Sequence, residues 1–494
     1  MIALTAAEVV AATGGALRAA DPATVVTGPV VVDSRQVGPG SLFVALPGEH
    51  VDGHAYAHAA HAAGAALVLA AHPVLDPDGR ELPAVVVPDV ERALGDLARV
   101  VLAQLREAAV EPGGSGLQVI GVTGSVGKTT TKDLLAQLCA AQGPTVAPEQ
   151  SFNNEIGLPL TVLRADEQTR YLVLEMGASG IGHLEYLTGI AAPDVAVVLV
   201  VGHAHLGGFG GIEAVARAKS EIVAGLVPGG TAVLNADDPR VSAMAAIAPG
   251  PVVTFGATRG AAVRALDLRV DRAGRAAFTL DVADDLADPD ASRSRADVTL
   301  RLVGEHHAHN ALAAAAAALA VGLPLADVVA GLGAADALSP HRMHVVDRAD
   351  GVTVVDDSYN ANPDSVRAAL RALAVLAGRD RRSVAVLGEM MELGPEALAE
   401  HEAIGLQVVR LNVGLTVVVG AGAHGIATGA VREGSWGEEV VEVADVDEAA
   451  ALLDRELRAG DVVLVKSSKD AGLWRLGDRL TAPDAVVPDG EVRR

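Results

Sequence analysis

The segment GVTGSVGKTTT at 121–131 constrains this chain more than any other. A Gly-rich turn between the apolar run Leu117–Val122 and the helical pattern Lys132–Ala141 calls for a strand, a tight turn and a helix in immediate succession. Small residues in such a turn let backbone N–H groups close on phosphate oxygens, and the helix N-terminus adds the positive end of its dipole. Lys128 can then reach β- and γ-phosphates, and the Thr129 hydroxyl can hold Mg²⁺. The usual spacing puts a glycine five positions before Gly127, where this chain has Val122, with Gly121 one step off. The strand-turn-helix setting, not the strict spacing, therefore carries the expectation of a phosphate loop.

The same unit recurs along the chain. Apolar runs at Tyr171–Glu175, Val195–Val201 and Thr231–Asn235 alternate with helical patterns, the signature of βαβ units and a mostly parallel sheet. Shorter β-branched runs at Val30–Val32, Leu42–Leu46, Ala66–Leu69 and Ala84–Val87 precede the Pro/Gly/Ser-rich EPGGSG at 111–116. After SPHRM, further runs at Val352–Asp356, Ser383–Leu387, Leu415–Val419 and Asp461–Val465 predict another doubly wound series. The expected fold is α/β in three domains: 1–112, then a central P-loop ATPase-type parallel sheet over 113–337, then a C-terminal Rossmann-like domain over 338–494. Residues 257–300 lack helical periodicity and predict an antiparallel insert. The uncharged stretch Ala311–Ala326 is too short and too alanine-rich for a membrane span and predicts a buried helix. Thr5 and Glu8 have the spacing of a capping box opening a short N-terminal helix.

Charge narrows the partners. The net charge of −24 repels a phosphate backbone, so nucleic acid is not expected, and any anion must be met at a local site. Aromatics at 2% leave little to stack bases on. The single cysteine, Cys139, excludes an intramolecular disulfide and a zinc pattern, and lies where core packing is expected. No basic segment precedes the apolar N-terminus, and a cytoplasmic monomer is expected.

Three polar residues follow the phosphate loop near strand ends or the start of a helix. Glu175 ends an apolar run, His205 lies in VGHAHLGGFGG, and Lys219 sits in ARAKSEI after a Gly-rich loop. In an open parallel sheet the carboxyl ends of strands face the ligand crevice, where a carboxylate can ligate magnesium.

The motifs TGSVGKTTT, SFNNEIGLP (151–159), LEMGASGIGH (174–183), AHLGGFG (204–210), AKSEI (218–222), HHAHNALAAAAAA (306–318), DDSYNANPDS (356–365), VLGEMMELG (386–394) and VLVKSSKD (463–470) together resemble the Mur ligases. VVDSRQVGPGSLFVALPGEHVDGH (31–54) is similar to the uridine-nucleotide domain of that family, so the likeness spans nearly the whole chain in order. The resemblance implies an ATP-dependent amide ligase joining D-alanyl-D-alanine to UDP-N-acetylmuramoyl-tripeptide through an acyl phosphate.

It also implies roles by position. Thr123, Gly124, Ser125, Val126, Gly127, Lys128, Thr129 and Thr130 would hold the ATP phosphates, with Asn310 and Arg342 on the nucleotide from other segments. Thr129 and Glu175 would ligate a first Mg²⁺, and His205 and Lys219 would serve a second, with Lys219 carbamylated; Lys128, His205 and Lys219 would be catalytic. Ser34, Arg35, Asp52, Gly53 and His54 would take the UDP-sugar, with Asn153 and Asn154 near the sugar and peptide. Asp357, Tyr359, Asn360, Asn362 and Lys469 would face the incoming amine. Two positions depart from the family: Val200 replaces an Asn, and Lys469 stands where Arg is usual.

Two rivals stay open on sequence. A sister ligase adding the third amino acid usually carries a DNPR-like motif, which this chain lacks, and a nucleotide-hydrolysing switch would not need Glu175, His205 and Lys219 together. The histidines 50, 54, 58 and 61 mimic a helical metal face, but Gly53 interrupts it, and an exposed helix with only His54 tied to substrate is expected.

Overall fold

The computed structural model describes residues 1–48, 51–110, 114, 116–149, 151–202, 210–286, 288, 292–434 and 439–482. Their strands form sheets of five, nine and six strands and a two-stranded ribbon. At the start of the chain Thr5 Oγ1 accepts from the Glu8 N–H at 3.2 Å while Glu8 Oε2 accepts from the Thr5 N–H at 2.7 Å, the expected capping box, opening the helix Ala6–Thr13. The five-stranded sheet that follows runs Ala16–Arg18, Ala84–Val86, Leu67–Ala70, Leu42–Val44, Val30–Val31, parallel except at its first strand.

The nine-stranded sheet positions the site. Gln118–Thr123 lies between Tyr171–Glu175 and Val195–Val198, parallel to both, with Glu175 opposite Val122 and Val198 opposite Thr123. Three carboxyl ends therefore finish side by side and open one crevice. The strand expected to reach Val201 stops at Val198, because the backbone turns there to bond the phosphate loop: Val200 O accepts from the Ser125 N–H at 2.8 Å. Beyond Thr231–Asn235 and Val252–Gly256 the sheet continues through the antiparallel strands Val263–Val270, Arg275–Ala283 and Arg293–Val303, as the aperiodic stretch 257–300 predicts. Asp281, its side chain fully buried, fastens this extension by accepting from Arg264, Arg293 and Arg295 at 2.6–2.7 Å.

One face of the sheet shares a core with the amphipathic helix Val90–Val110, and the other packs on the helix His307–Ala320. In that helix His307, Ala308 and every residue from Asn310 to Ala318 are buried, small side chains letting it lie close to Lys128–Ala140. The single helix expected over Ala311–Ala326 is in fact two, His307–Ala320 and Leu325–Ala334. Pro324 separates them, since it has no N–H to continue the ladder and sits extended at φ −62°, ψ 140° as the second helix's N-cap. Cys139 is buried in this core, and burial pushes its thiol up to about 12. Among the described residues no helix is long and apolar enough to cross a membrane.

The six-stranded sheet runs His344–Asp347, Thr353–Asp356, Val462–Lys466, Ser383–Leu387, Leu415–Val419, Val440–Val443, antiparallel at its first pair and parallel thereafter. Its two faces carry separate apolar cores, as a doubly wound sheet requires.

Candidate active site

The phosphate loop turns as its sequence demands. Gly124 at φ 157° and Gly127 at φ 85° adopt backbone that side chains disfavour, and a Cβ at Gly124 would meet Leu199 at 2.8 Å. Gly127 caps the helix Lys128–Ala140, which begins four residues earlier than the sequence pattern indicates. The unpaired N–H groups of its first turn thus open directly on the loop. Lys128 Nζ donates to Gly124 O at 2.7 Å, and desolvation lowers its pKa, opposed by Glu175 and assisted by Arg342.

A cavity of about 440 Å³ in front of the loop brings together Lys128, Thr129, Glu175 and Lys219 with Asn153 and Asn154. Glu175 is buried; Oε1 accepts from Asn153 Nδ2 at 2.7 Å, while Oε2 has no partner among the described residues. Thr129 Oγ1 lies 2.9 Å from Ser151 Oγ. A buried carboxylate oxygen without a partner and a hydroxyl lining the same cavity are oxygen donors of the kind that a hard divalent cation takes. Lys219, in the middle of the helix Ile212–Ala224 and not at its start, is 3% exposed and makes no hydrogen bond or ion pair among the described residues. Burial first, and then Lys128, lower its pKa well below the ordinary value, which favours the neutral amine. His205 lies outside the described residues.

The C-terminal unit closes the same cavity with Arg342, Tyr359, Asn360 and Asn362. Arg342 Nη2 donates to Thr129 Oγ1 and Ser151 Oγ, both at 3.2 Å, and its guanidinium lies 4.3 Å from the Tyr359 ring centroid. Asn362 also caps the helix Pro363–Ala377, accepting from the Ser365 N–H at 2.9 Å. Lys469 is exposed, with its ammonium 5.6 Å from the Tyr359 ring, whereas Asp357 forms a buried ion pair with Lys466 at 2.5 Å. An adjoining cavity of about 420 Å³ is lined by Gly127, Thr130, Asn310, Arg342, His306 and His307. Burial holds both histidines neutral, His306 at about 4.

The remaining expected residues lie on the five-stranded unit and line neither cavity. Ser34 and Arg35 occupy a short 3-10 turn, with Arg35 exposed and forked onto Asp33. Gly53 opens the turn Gly53–Tyr56, capped by Asp52. Instead of an exposed helical histidine, His54 is 6% exposed at its side chain and bound at both nitrogens: Nδ1 to Asp52 at 2.6 Å, Nε2 accepting from the Ala71 N–H at 2.8 Å. His72 stacks on it with ring centroids 4.2 Å apart, so Asp52, His54 and His72 form a polar latch, while His50 lies outside the described residues.

Three stretches match family models: residues 29–101 the Mur ligase family catalytic domain, 122–318 the Mur ligase middle domain, and 341–469 the Mur ligase glutamate ligase domain. The UDP-N-acetylmuramoyl-tripeptide--D-alanyl-D-alanine ligase of Mycobacterium bovis is 47% identical over 534 aligned positions, covering 100% of both chains. The chain belongs to the Mur ligase family. Solved structures of MurF from Acinetobacter baumannii (TM-score 0.82, 30% identity, 97% of this chain and 99% of that one) and of MurF ligase from Thermotoga maritima in complex with ADP (0.74, 28%, 92% and 97%) have similar architecture.

Several residues of this Mur ligase's cleft escape sequence inspection. Ser151 joins Thr129 to Arg342, and Asp133, buried beside Lys132, accepts from the Ser339 N–H at 3.1 Å to tie the loop's helix to the C-terminal linker. Ser151 opens the SFNNEIGLP motif, but the partners of these residues lie up to 206 positions away and nothing local signals the contacts.

Proposed function

We propose that this Mur ligase joins D-alanyl-D-alanine to UDP-N-acetylmuramoyl-tripeptide, cleaving ATP to ADP and phosphate. Agreement in name and full length with the Mycobacterium bovis relative supports the substrates, and the ADP bound to the Thermotoga maritima structure supports the nucleotide. The observation that carries the chemistry is the single cavity where Lys128, Glu175 and Lys219 meet Arg342 and Tyr359 across two units of the fold. Three folding units bounded near 1–112, 113–337 and 338–494 are proposed with it, supported by sheets that share no strands.

A carboxylate is a poor acyl donor. The tripeptide's terminal carboxylate oxygen attacks the γ-phosphorus, its bond to ADP breaks, and an acyl phosphate forms; the dipeptide amine then attacks the acyl carbon, expelling phosphate and losing a proton. Lys128 and the N–H groups of the loop and the helix's first turn, other than that of Ser125, which is bonded to Val200 O, cancel charge as the phosphoryl group transfers, with the segment Thr123–Thr130 wrapped around it. Asn310 and Arg342 orient the nucleotide, the former beside Gly127 and the latter over the loop. Thr129 and Glu175 would hold one Mg²⁺, and His205 with a carbamylated Lys219 a second; magnesium there supplies positive charge between carboxylate and triphosphate. Ser34, Arg35, Asp52, Gly53 and His54 would hold the UDP-sugar, Asn153 and Asn154 would lie near the sugar and peptide, and Asp357, Tyr359, Asn360, Asn362 and Lys469 would face the amine. We propose that a monomer carries out this reaction in the cytoplasm.

Incubation with ATP, UDP-N-acetylmuramoyl-tripeptide and D-alanyl-D-alanine should release phosphate and form dipeptide adduct in equal amounts. Phosphate without adduct would favour the switch, and ligation of meso-diaminopimelate to the dipeptide precursor would favour the sister enzyme.

A further inference from the structure

Away from the candidate active site, a cleft of about 720 Å³ opens between the antiparallel extension of the nine-stranded sheet and the edge of the six-stranded sheet. Its floor is apolar, with Leu302, Val303, Val345 and Leu376. Its walls carry Arg272, Arg275, Arg301, Arg381 and His344. In a chain with 38 basic against 62 acidic residues, four guanidiniums around one cleft run against the average.

The charge there is compensated from within only at Arg301, among the described residues. Two carboxylates line the cleft and both are engaged, Asp336 with Arg301 at 3.2 Å and Asp347 accepting from Thr353 Oγ1 at 2.6 Å. Arg381 donates to neutral acceptors, Thr353 Oγ1 at 2.7 Å and the carbonyls of Gly460 and Asp461. Arg272 and Arg275 form no ion pair among the described residues. They project from the turn between Val263–Val270 and Arg275–Ala283, and that turn is fixed: Gly274 O accepts from the Gly304 N–H at 2.7 Å. A Cβ at Gly274, where φ is 74°, would meet Val303 at 2.9 Å. Arg381 is thus held in place before any ligand arrives, and the backbone that carries the exposed Arg272 and Arg275 is fixed beside the apolar side chains of the cleft.

We propose that this cleft is a second anion site, taking a phosphate-bearing small molecule. Guanidinium forks match phosphate oxygens in pairs, and the volume falls in the range of small-molecule sites. Its lining comes from the extension, from the linker residues Asp336 and Met343 and from the C-terminal sheet, so a bound anion ties the extension to that sheet.

The test is calorimetric titration of the full-length protein with inorganic pyrophosphate in magnesium-free buffer near physiological salt. The wild type should take up two, one at the phosphate loop and one at the cleft. Lys128→Ala should retain the cleft event, and Arg272→Ser/Arg275→Ser should lose it, with affinity there weakened at least about tenfold. Ligation by the double variant without pyrophosphate should be unchanged, since neither residue touches the active site. A double variant that titrates like wild type overturns the proposal. So does cleft binding that stays unsaturated at about 1 mM, which would mark an adventitious ion only.

Discussion

Asn153→Ala separates two roles that one side chain could play. Its sequence position associates it with the UDP-sugar, yet in the structure its Nδ2 donates to Glu175 Oε1 at 2.7 Å, and Oε2 of that buried carboxylate has no partner. Removing the amide would leave both Glu175 oxygens without a protein donor. A hydrogen bond to a charged group is worth about 1.5–3 kcal/mol. At 1.36 kcal/mol per factor of ten, magnesium-dependent turnover should fall roughly 10- to 150-fold at limiting Mg²⁺. The backbone should hold, because the Gly177 N–H bonds Asn153 O at 2.8 Å and not its side chain. Adduct formation measured across a magnesium titration should show a higher magnesium requirement, near-complete recovery at saturation, and a KM for the UDP-substrate raised less than about threefold. A large rise in that KM with an unchanged magnesium curve would refute the positioning role and return Asn153 to the substrate.

Lys128→Ala should abolish adduct formation with an unchanged circular dichroism spectrum, since the one hydrogen bond its ammonium makes among the described residues is to Gly124 O; near-wild-type turnover would sink the phosphate-loop assignment. Lys219 should be carbamylated: ¹³C-bicarbonate should give a carbamate carbonyl resonance absent from Lys219→Ala, and a short carboxylic acid should partly restore that variant's activity. Without bicarbonate, Lys219's lowered pKa means the unfolded chain binds the extra proton, so stability should rise with pH from the folded pKa up to about 10.4; a flat profile that Lys219→Met leaves unaltered would contradict this. Asp281→Asn should destabilise by about 3–5 kcal/mol in denaturant melts, by leaving three guanidiniums without their carboxylate. Burial opposes ionisation of Asp281, but Arg295, Arg293 and Arg264 hold its pKa at about 2, so its stabilisation should be full above the unfolded value and vanish as pH falls through about 2.

Local chemistry was legible where the signal was local. Tyr171–Glu175, Thr231–Asn235, Ser383–Leu387 and Leu415–Val419 form strands at the bounds their apolar runs indicate, because buried parallel strands have continuous apolar composition. Helix starts were less legible: nothing between Lys128 and Lys132 distinguishes loop from helix except Gly127 adopting the left-handed region. Burial of single polar residues was illegible. Lys219 has the surroundings of a surface lysine on an amphipathic helix, and only the packing of Ile212–Ala224 turns it inward. His54 sits in a run of spaced histidines, yet its contacts with Asp52, with Ala71 seventeen positions on and with His72 make it differ from the exposed His58.

The linker to the C-terminal unit joins these observations. His341 and Met343, on either side of Arg342, both adopt left-handed backbone at φ 57° and 51°, which costs about 1–2 kcal/mol for each non-glycine residue. Such strain persists only where neighbours over-determine it. Here they do: His341 Nδ1 pairs with Asp356 at 2.6 Å, the Met343 N–H donates to Asp357 Oδ1 at 3.2 Å, and Ser339 is tied to Asp133 on the loop's helix. Asp356 and Asp357 open the DDSYNANP segment that also brings Tyr359 beneath the Arg342 guanidinium. The strain is therefore balanced by contacts from both units and is what aims Arg342 at Thr129 and Ser151. An arginine delivered by a relaxed extended linker would have no such fixed bearing on the phosphate loop, so the C-terminal unit completes the cleft through backbone geometry as much as through charge.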